Sequence, residues 1–265
     1  MSKKITIIGG GNLGVAIAEG LTASKFSKPA DITVTRRRID LLKDLEEKGI
    51  NISTDNAAAV KKADVIILAV KPFQVSEVLA GIRAAVSPKS TFISVVTGVS
   101  IADINEMLGN TATVFRAMPN TAIAIRESIT CISHHTAEEK EARYVKDLFD
   151  TVGKVTIIDE KLMEAATVLG ACGTAYAMRY IRANIQGGIE IGFDAATASL
   201  IAAQTVKGAA ELLLQKGSHP EQEIDKVTTP KGCTIAGLNE MEHRGFSSSL
   251  IRGVVVSYKK IAKDV

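Results

Sequence analysis

The chain has 265 residues, of which 32 are lysine or arginine and 29 are aspartate or glutamate, so the formal charge is +3. This near balance gives no electrostatic footprint for nucleic acid or an anionic membrane, and aromatic residues make up only 4%. The 46% of hydrophobic residues are enough for a packed core, over a length that allows one large domain or two modest ones.

Short apolar runs and few cysteines predict a cytoplasmic protein. The first apolar run, Ile5–Ile8, is too short for the hydrophobic region of a signal peptide. The longest run, residues 65–70, is far below the roughly 18 residues that a membrane span needs. The three cysteines, Cys131, Cys172 and Cys233, are odd in number and form no C-x-x-C pair, so we expect neither a disulfide framework nor a metal site.

The predicted elements change in character along the chain. Strands are predicted at residues 5–8, 32–35, 65–70, 91–96, 113–115, 128–134 and 154–158, with helices at 12–24, 39–48, 74–85, 101–108 and 137–151. This alternation predicts an α/β domain with a parallel sheet, residues 1–160. Beyond it, helices are predicted at 161–192, 195–216, 234–242 and 247–260 around a polar loop at 228–233. Residues 161–265 are therefore predicted to form an all-α domain.

A glycine-rich turn follows the first predicted strand. Residues 9–14 read Gly-Gly-Gly-Asn-Leu-Gly, match G-x-G-x-x-G and open the first predicted helix. In this pattern Gly9 permits the tight turn, Gly11 lets a pyrophosphate approach the backbone, and Gly14 lets the helix pack against the strand. The helix N-terminus favours phosphate. The turn predicts a dinucleotide-binding, Rossmann-type domain; the alternative is a glycine-rich turn without a ligand.

The end of the second strand indicates which dinucleotide binds. NAD sites usually carry an acidic residue about 20 residues beyond the glycines, where it holds the ribose 2′-hydroxyl. Here Thr35 is followed by Arg36, Arg37 and Arg38. No carboxylate would repel a 2′-phosphate, and three guanidiniums are available to bind one. NADP(H) is therefore the favoured cofactor and NAD(H) the weaker alternative. If the arginines bind no ligand, they form a solvated basic turn.

Two further strand ends point to the nicotinamide side of such a site. Ligands of open α/β sheets bind beyond the carboxyl ends of the strands. The strand ends concerned are Val70-Lys71-Pro72 and Val96-Thr97-Gly98. We expect both near the nicotinamide, although Lys71 alone is as well explained as an ordinary surface lysine.

Distinctive segments are spread over essentially the whole chain, at residues 8–14, 63–65, 69–72, 116–121, 203–205, 208–210 and 228–238. The glycine motif is shared by many dehydrogenases, whereas three segments together are much more specific: 116–121, which reads Arg-Ala-Met-Pro-Asn-Thr, 203–210 and 228–238. Together these segments resemble the pyrroline-5-carboxylate reductase family. The resemblance implies a Rossmann-type N-terminal domain, a C-terminal helical dimerisation domain, and NAD(P)H-dependent reduction of 1-pyrroline-5-carboxylate to L-proline.

The resemblance also implies cofactor-binding residues, position by position. The 2′-phosphate end would be held by Thr35, Arg36 and Asn56, with Arg37 beside them. The pyrophosphate would meet Gly11, Asn12 and Leu13, in the turn that begins at Gly9. The nicotinamide side would be lined by Ala69, Val70, Lys71, Pro72, Val96, Thr97, Gly98, Met118, Pro119 and Asn120.

For the substrate, the resemblance implies a binding loop before a helix. Thr229 and the backbone N–H groups of Gly232, Cys233 and Thr234 would receive the carboxylate. The Thr234 hydroxyl would lie against the ring nitrogen as the catalytic group. A cyclic imine is already electrophilic, so orientation against the hydride donor is the main requirement. The family further implies a homodimer whose interface completes the substrate pocket, and larger rings such as a decamer of five dimers.

Two departures from the family pattern leave alternatives open. Lys231 stands where the family has a glycine, and it is strained if this position needs a positive φ. Residues 170–176 read Gly-Ala-Cys-Gly-Thr-Ala-Tyr, where the family has Ser-Gly-Ser-Gly-Pro-Ala-Tyr. The alternatives are a related imine reductase or β-hydroxyacid dehydrogenase with another substrate, or a non-catalytic NADP-binding regulator. The dehydrogenase would need a lysine in the long helix, and Lys161 lies only at its start.

Overall fold

The computed structural model describes residues 3–110 and 112–262, within which eight strands form one sheet in the order β3-β2-β1-β4-β5-β6-β7-β8. The strands are β1 (Ile5–Ile8), β2 (Ile32–Thr35), β3 (Asn51–Ser53), β4 (Val65–Leu68), β5 (Thr91–Ser94), β6 (Thr113–Met118), β7 (Ser128–His134) and β8 (Gly153–Ile157). Strands β1, β4 and β5 are buried along their whole length. Near-continuous apolar strands of this kind are typical of a parallel sheet that is covered on both faces.

One strand pair departs from the predicted parallel sheet. Strands β6 and β7 are antiparallel, whereas every other neighbouring pair is parallel. A parallel connection needs a dozen or more residues, but only residues 119–127 join these two strands. The predicted α/β class is therefore confirmed, with this one correction.

The described residues contain twelve α-helices. They are α1 (Asn12–Ala23), α2 (Lys43–Glu47), α3 (Asn56–Val60), α4 (Val75–Ile82), α5 (Ile101–Leu108), α6 (Glu139–Asp150), α7 (Met163–Ala166), α8 (Gly173–Glu190), α9 (Ala195–Lys216), α10 (Pro220–Lys226), α11 (Cys233–His243) and α12 (Phe246–Ala262). A π-helical segment, Thr167–Cys172, joins α7 to α8. None of the helices in the described part of the chain is long and apolar enough to cross a membrane.

The differences from prediction concern short elements. The sequence did not predict β3, α3 or α10. Strand β3 has three residues with a single isoleucine and lies at the sheet edge, so it has no hydrophobic pattern to detect. The helix predicted at 39–48 is a 3₁₀ turn, Ile39–Leu42, followed by α2.

Contacts divide the chain into two units. The helical unit is Cys172–Ser257, and the sheet unit is the rest of the described chain. In the helical unit, the Asp194 carboxylate accepts hydrogen bonds from the N–H groups of Ala196 and Thr197, both at 3.0 Å, and so caps α9. Several large apolar side chains of this unit are exposed on the single chain, among them Met178, Leu200, Leu214, Ile251 and Val256.

Candidate active site

The glycine turn between β1 and α1 is closed by backbone contacts. The N–H groups of Gly9 and Gly10 donate to the Thr35 carbonyl at 3.1 and 2.8 Å. Gly9 has a φ of +108°, and a Cβ there would lie 2.4 Å from the Ala69 carbonyl oxygen. A Cβ on Gly14 would lie 2.1 Å from the Gly9 carbonyl oxygen. Both positions therefore require glycine, as the motif predicts.

Gly11 differs from these two glycines because it faces open space. A Cβ on Gly11 would meet no protein atom within 4 Å. Gly11 precedes α1, whose N-terminus has no side-chain cap and no acidic residue in its first turn. The N–H groups of this end are thus free to bind an anion, and nothing in the described chain fills the space above them.

The basic turn after β2 contains one fixed arginine and two free ones. The Arg36 guanidinium donates through Nη1 to the Gly10 carbonyl at 2.7 Å, which braces the glycine turn. The Thr35 hydroxyl donates to Asn56 Oδ1 at 2.5 Å and so places Asn56, at the start of α3, beside the turn. Arg37 and Arg38 are exposed, and neither forms an ion pair with a carboxylate of the described residues.

A cavity of about 910 Å³ brings most of the predicted cofactor residues together. Its walls include Gly9, Gly11, Asn12, Leu13, Thr35, Arg36, Arg37, Asn56, Ala69, Val70, Lys71, Pro72, Val96 and Thr97. These residues follow the carboxyl ends of β1, β2, β3, β4 and β5, which form the sheet edge where open α/β folds bind ligands.

The structure does not bring four other predicted residues to this cavity. Gly98 is exposed with a φ of +75° and borders a second cavity of about 600 Å³. Met118 and Pro119 are buried at the end of β6. Asn120 uses its side chain within the fold, since Nδ2 donates to the Gly170 carbonyl at 3.3 Å and Oδ1 accepts from the Ala122 N–H at 3.0 Å. Their contacts with a cofactor remain predictions.

Other residues line the cavity that the sequence did not single out as cofactor-binding. They are Ile8, Gly10, Thr54, Gln74, Glu77, Val78, Val95 and Thr121. Arg38, the third arginine of the predicted basic turn, also lines the cavity. Thr54 follows β3, the strand that lacks a hydrophobic pattern, and Gln74, Glu77 and Val78 lie at α4. Thr121 directly follows the predicted Met118-Pro119-Asn120 segment. Extending that segment by one residue would have included it.

The predicted substrate loop forms a tight turn in the helical unit. The Gly232 N–H donates to the Thr229 carbonyl at 3.0 Å, and a Cβ on Gly232 would lie 2.5 Å from Thr229 Oγ1. Helix α11 begins directly after Gly232 and has no side-chain cap. The N–H groups of Cys233 and Thr234 thus lie in an uncapped first turn, where a carboxylate is stabilised.

Lys231 occupies the position of the turn that favours glycine. Its φ is +59°, and it follows Pro230 at the third position of the hydrogen-bonded Thr229–Gly232 turn, the arrangement of a type II turn. A side chain in this region costs about 1–2 kcal/mol. The sequence predicted strain at Lys231 only if this position has a positive φ, and that condition is met.

Lys161 is not placed inside the long helix. It lies in a 3₁₀ turn, Glu160–Leu162, and its ammonium group is 2.9 Å from the Asp159 carboxylate. The lysine that a β-hydroxyacid dehydrogenase would need in that helix is missing, because neither α7 nor α8 contains a lysine.

Comparison with known proteins decides the family. Residues 160–264 match the family model described as pyrroline-5-carboxylate reductase dimerisation. A relative from Dictyostelium discoideum named pyrroline-5-carboxylate reductase 2 is 44% identical over 279 residues, which cover 99% of this chain and 93% of that protein. The chain belongs to the pyrroline-5-carboxylate reductase family. The resemblance noted in the sequence is thereby confirmed.

Further matches within and beyond this reductase family agree on fold. Residues 4–98 match a model described as NADP oxidoreductase, coenzyme F420-dependent. Pyrroline-5-carboxylate reductase 1 of Dictyostelium discoideum is 44% identical over 97% of this chain, but the chain spans only 49% of that relative's length. The crystal structure of Plasmodium falciparum pyrroline carboxylate reductase with NADP bound has a TM-score of 0.91 at 25% identity, covering 99% of this chain and 98% of that one. These matches confirm the predicted Rossmann-type and helical architecture.

Proposed function

We propose that this protein reduces 1-pyrroline-5-carboxylate to L-proline with NADPH. The observation that carries the proposal is the cavity of about 910 Å³, in which an uncapped helix N-terminus and the Arg36–Arg37 turn face the same space. Family membership supplies the reaction class. NADH is the weaker alternative cofactor, because Arg36 and Arg37 stand where an NAD site has a carboxylate.

The cofactor-binding roles in this proposal follow the geometry of the turn. Gly11, Asn12 and Leu13 bind the pyrophosphate through the free N–H groups of α1. Thr35, Arg36, Arg37 and Asn56 bind the 2′-phosphate. Further along the cavity, the strand ends at residues 69–72 and 96–97 line the nicotinamide side. Gly98 and the segment at 118–120 do not line the cavity, and we propose that they contact the nicotinamide when the cofactor is bound. Bound there, NADPH supplies a hydride.

The loop at 229–234 carries the substrate roles. The N–H groups of Gly232, Cys233 and Thr234, with the Thr229 hydroxyl, bind the substrate carboxylate and thereby orient the imine. The imine carbon gains the hydride, the C=N double bond becomes a single bond, and the nitrogen gains one proton. The Thr234 hydroxyl hydrogen-bonds to this nitrogen and relays the proton from water.

Assembly and domain division belong to the same proposal. The dimerisation family match and the exposed apolar side chains of the helical unit support a homodimer, because such side chains are stabilised by burial against a second copy. A decamer of five dimers is the larger assembly that we propose. We place the division between residues 1–160 and 161–265, since β8 is the last strand of the described residues and the dimerisation match begins at residue 160. A cytoplasmic location stays a prediction from cysteine usage.

The test is NADPH oxidation at 340 nm with DL-1-pyrroline-5-carboxylate, comparing the wild type with Thr234→Ala and Thr234→Ser. Loss of a proton-relaying hydroxyl should lower kcat about 100-fold in Thr234→Ala, whereas Thr234→Ser keeps the hydroxyl and should retain most of the activity. The dissociation constant for NADPH should be unchanged in both variants.

Other outcomes separate the alternatives. A wild type that binds NADPH but does not oxidise it with this substrate would overturn the proposed reaction. Turnover with other cyclic imines would then identify a related imine reductase, and no turnover with any of them would identify a non-catalytic NADP-binding regulator. Equal activity of wild type and Thr234→Ala would remove Thr234 from the mechanism.

A further inference from the structure

A buried arginine of the sheet unit is held between two carboxylates outside the proposed cofactor cavity. Arg116 lies in β6, and its side chain is only 4% exposed. Its Nη1 is 3.2 Å from Glu160 Oε1, and its Nη2 is 2.9 Å from Glu164 Oε1. A buried guanidinium requires such partners, because an uncompensated charge away from water is strongly destabilising.

The two carboxylates differ in what else they hold. Glu160 Oε1 also accepts a hydrogen bond from the Ile101 N–H at 2.7 Å, and its Oε2 lies 2.9 Å from His135 Nε2. Glu164 pairs only with Arg116 among the described residues. Glu160 thus connects three segments that are distant in sequence, whereas Glu164 serves one charge.

Ile101 lies directly after the loop that follows β5. It is the first residue of α5, and residues 96–98 of that loop are part of the proposed nicotinamide side. The Ser100 hydroxyl and N–H donate to the Asp103 carboxylate and lower the pKa of that group, but these bonds lie within the start of α5. The Glu160 carboxylate instead fixes this start to another part of the fold.

Open space adjoins the same loop. Gly98, Arg116 and Glu160 border the second cavity of about 600 Å³. Packed side chains do not fill this side of Gly98, and a Cβ there would meet no atom within 4 Å. The hydrogen bond at Ile101 is therefore an important restraint on the loop.

We propose that Glu160 is a positioning residue for the nicotinamide end of the cofactor, acting through the Ile101 N–H. This inference rests on the proposed function. It assigns Glu160 no contact with the substrate or the cofactor. Its effect should be confined to the nicotinamide half of the cofactor, because the adenosine half is held by the glycine turn and the arginine turn.

The test compares Glu160→Ala with Glu164→Ala as the matched control. Each variant removes one carboxylate from Arg116, but only Glu160→Ala frees the Ile101 N–H. We expect Glu160→Ala to raise the Kd for NADPH about tenfold and to lower kcat at least tenfold, while Glu164→Ala keeps the Kd within about twofold. The Kd for 2′-phospho-ADP-ribose, which lacks nicotinamide, should change less than twofold in both. Glu160→Gln should largely restore NADPH binding, because the amide oxygen still accepts from Ile101.

A second variant removes the same hydrogen bond from the other side. Ile101→Pro lacks the N–H but leaves both carboxylates to Arg116, and proline is favoured at the first position of a helix. Ser100 has a φ of −76° and a ψ of 162°, a conformation that a following proline accepts. Ile101→Ala controls for the lost side chain. Ile101→Pro should weaken NADPH binding as Glu160→Ala does, and Ile101→Ala should not.

Three results would overturn the proposal. The first is an equal loss of NADPH affinity in Glu160→Ala and Glu164→Ala, because neutralisation of the Arg116 charge would then explain both losses without the Ile101 hydrogen bond. The second is an equal loss of affinity for 2′-phospho-ADP-ribose and for NADPH. The third is a wild type that binds neither nucleotide, which would overturn the proposed function as well. A wild type that binds NADPH but does not reduce the imine would end only the proposed reaction, because the binding comparison needs no turnover.

Discussion

Two turns in this protein lead into helix N-termini that can bind an anion, but they differ in the residue that adopts a positive φ. The glycine turn at 9–14 and the substrate loop at 229–234 each lead into a helix whose N-terminus has no side-chain cap. Each contains one residue with a positive φ, Gly9 at +108° and Lys231 at +59°. In the first turn this residue is a glycine packed against neighbouring backbone, and in the second it is an exposed lysine.

The comparison distinguishes glycines that are required for packing from positions that are available for anion binding. In the glycine turn, Gly9 and Gly14 are required by close backbone contacts, while Gly11 leaves space for a ligand. In the substrate loop, Gly232 accommodates the Thr229 hydroxyl, but Lys231 adds strain beside the proposed carboxylate site. The first turn is thus an unstrained part of a rigid sheet, and the second stores strain where substrate is proposed to bind.

The largest expected effect comes from Gly14→Ala. Its Cβ would lie 2.1 Å from the Gly9 carbonyl oxygen, a backbone atom that cannot move without opening the turn. We expect a loss of about 1–3 kcal/mol in the free energy of unfolding, together with loss of NADPH binding. Thermal unfolding and fluorescence titration with NADPH measure the two effects.

Gly11→Ala is the matched variant in the same turn. Its Cβ would meet no protein atom within 4 Å, so stability should change by less than about 1 kcal/mol while NADPH affinity falls about tenfold. If Gly11→Ala bound NADPH as tightly as the wild type, the backbone above α1 would not be the pyrophosphate site.

An intermediate effect is expected at the basic turn. Arg36 both braces the Gly10 carbonyl and carries charge, whereas Arg37 is exposed and supplies charge alone. Arg37→Ala should raise the Kd for NADPH about tenfold and leave the Kd for NADH unchanged, because only NADPH has the 2′-phosphate. Lys89→Ala removes an equal charge away from the cavity and serves as the control. Equal weakening for both cofactors would contradict the proposed role of Arg37.

The predictability of these sites follows from how local their causes are. The glycine turn and the arginine turn could be predicted, because a strand, a fixed spacing and a helix start are all read within about 30 residues. Thr54 could not, since β3 has a single apolar residue. The Glu160–Ile101 hydrogen bond joins residues 59 positions apart, and no local pattern indicates it. For Lys231, the glycine of the family pattern indicated that the position could need a positive φ, and only the folded backbone shows that it has one.

The smallest expected effect concerns this lysine. Lys231→Gly removes both the strain and the charge, whereas Lys231→Ala removes the charge and keeps a Cβ at positive φ. Lys231→Gly should therefore be more stable than Lys231→Ala by about 1 kcal/mol in thermal unfolding. If the KM for 1-pyrroline-5-carboxylate rises equally in both variants, the charge attracts the substrate. Equal stability of the two variants would show that the turn is not strained.

Hydride transfer to the imine carbon is the central claim, and isotope transfer tests it most directly. The wild type would be incubated with 1-pyrroline-5-carboxylate and NADPH that carries two deuterium atoms at C4 of its nicotinamide. The proposed function predicts L-proline that is heavier by one mass unit, with the deuterium at C5, detected by mass spectrometry. Unlabelled proline, or NADPH consumption without proline, would contradict it.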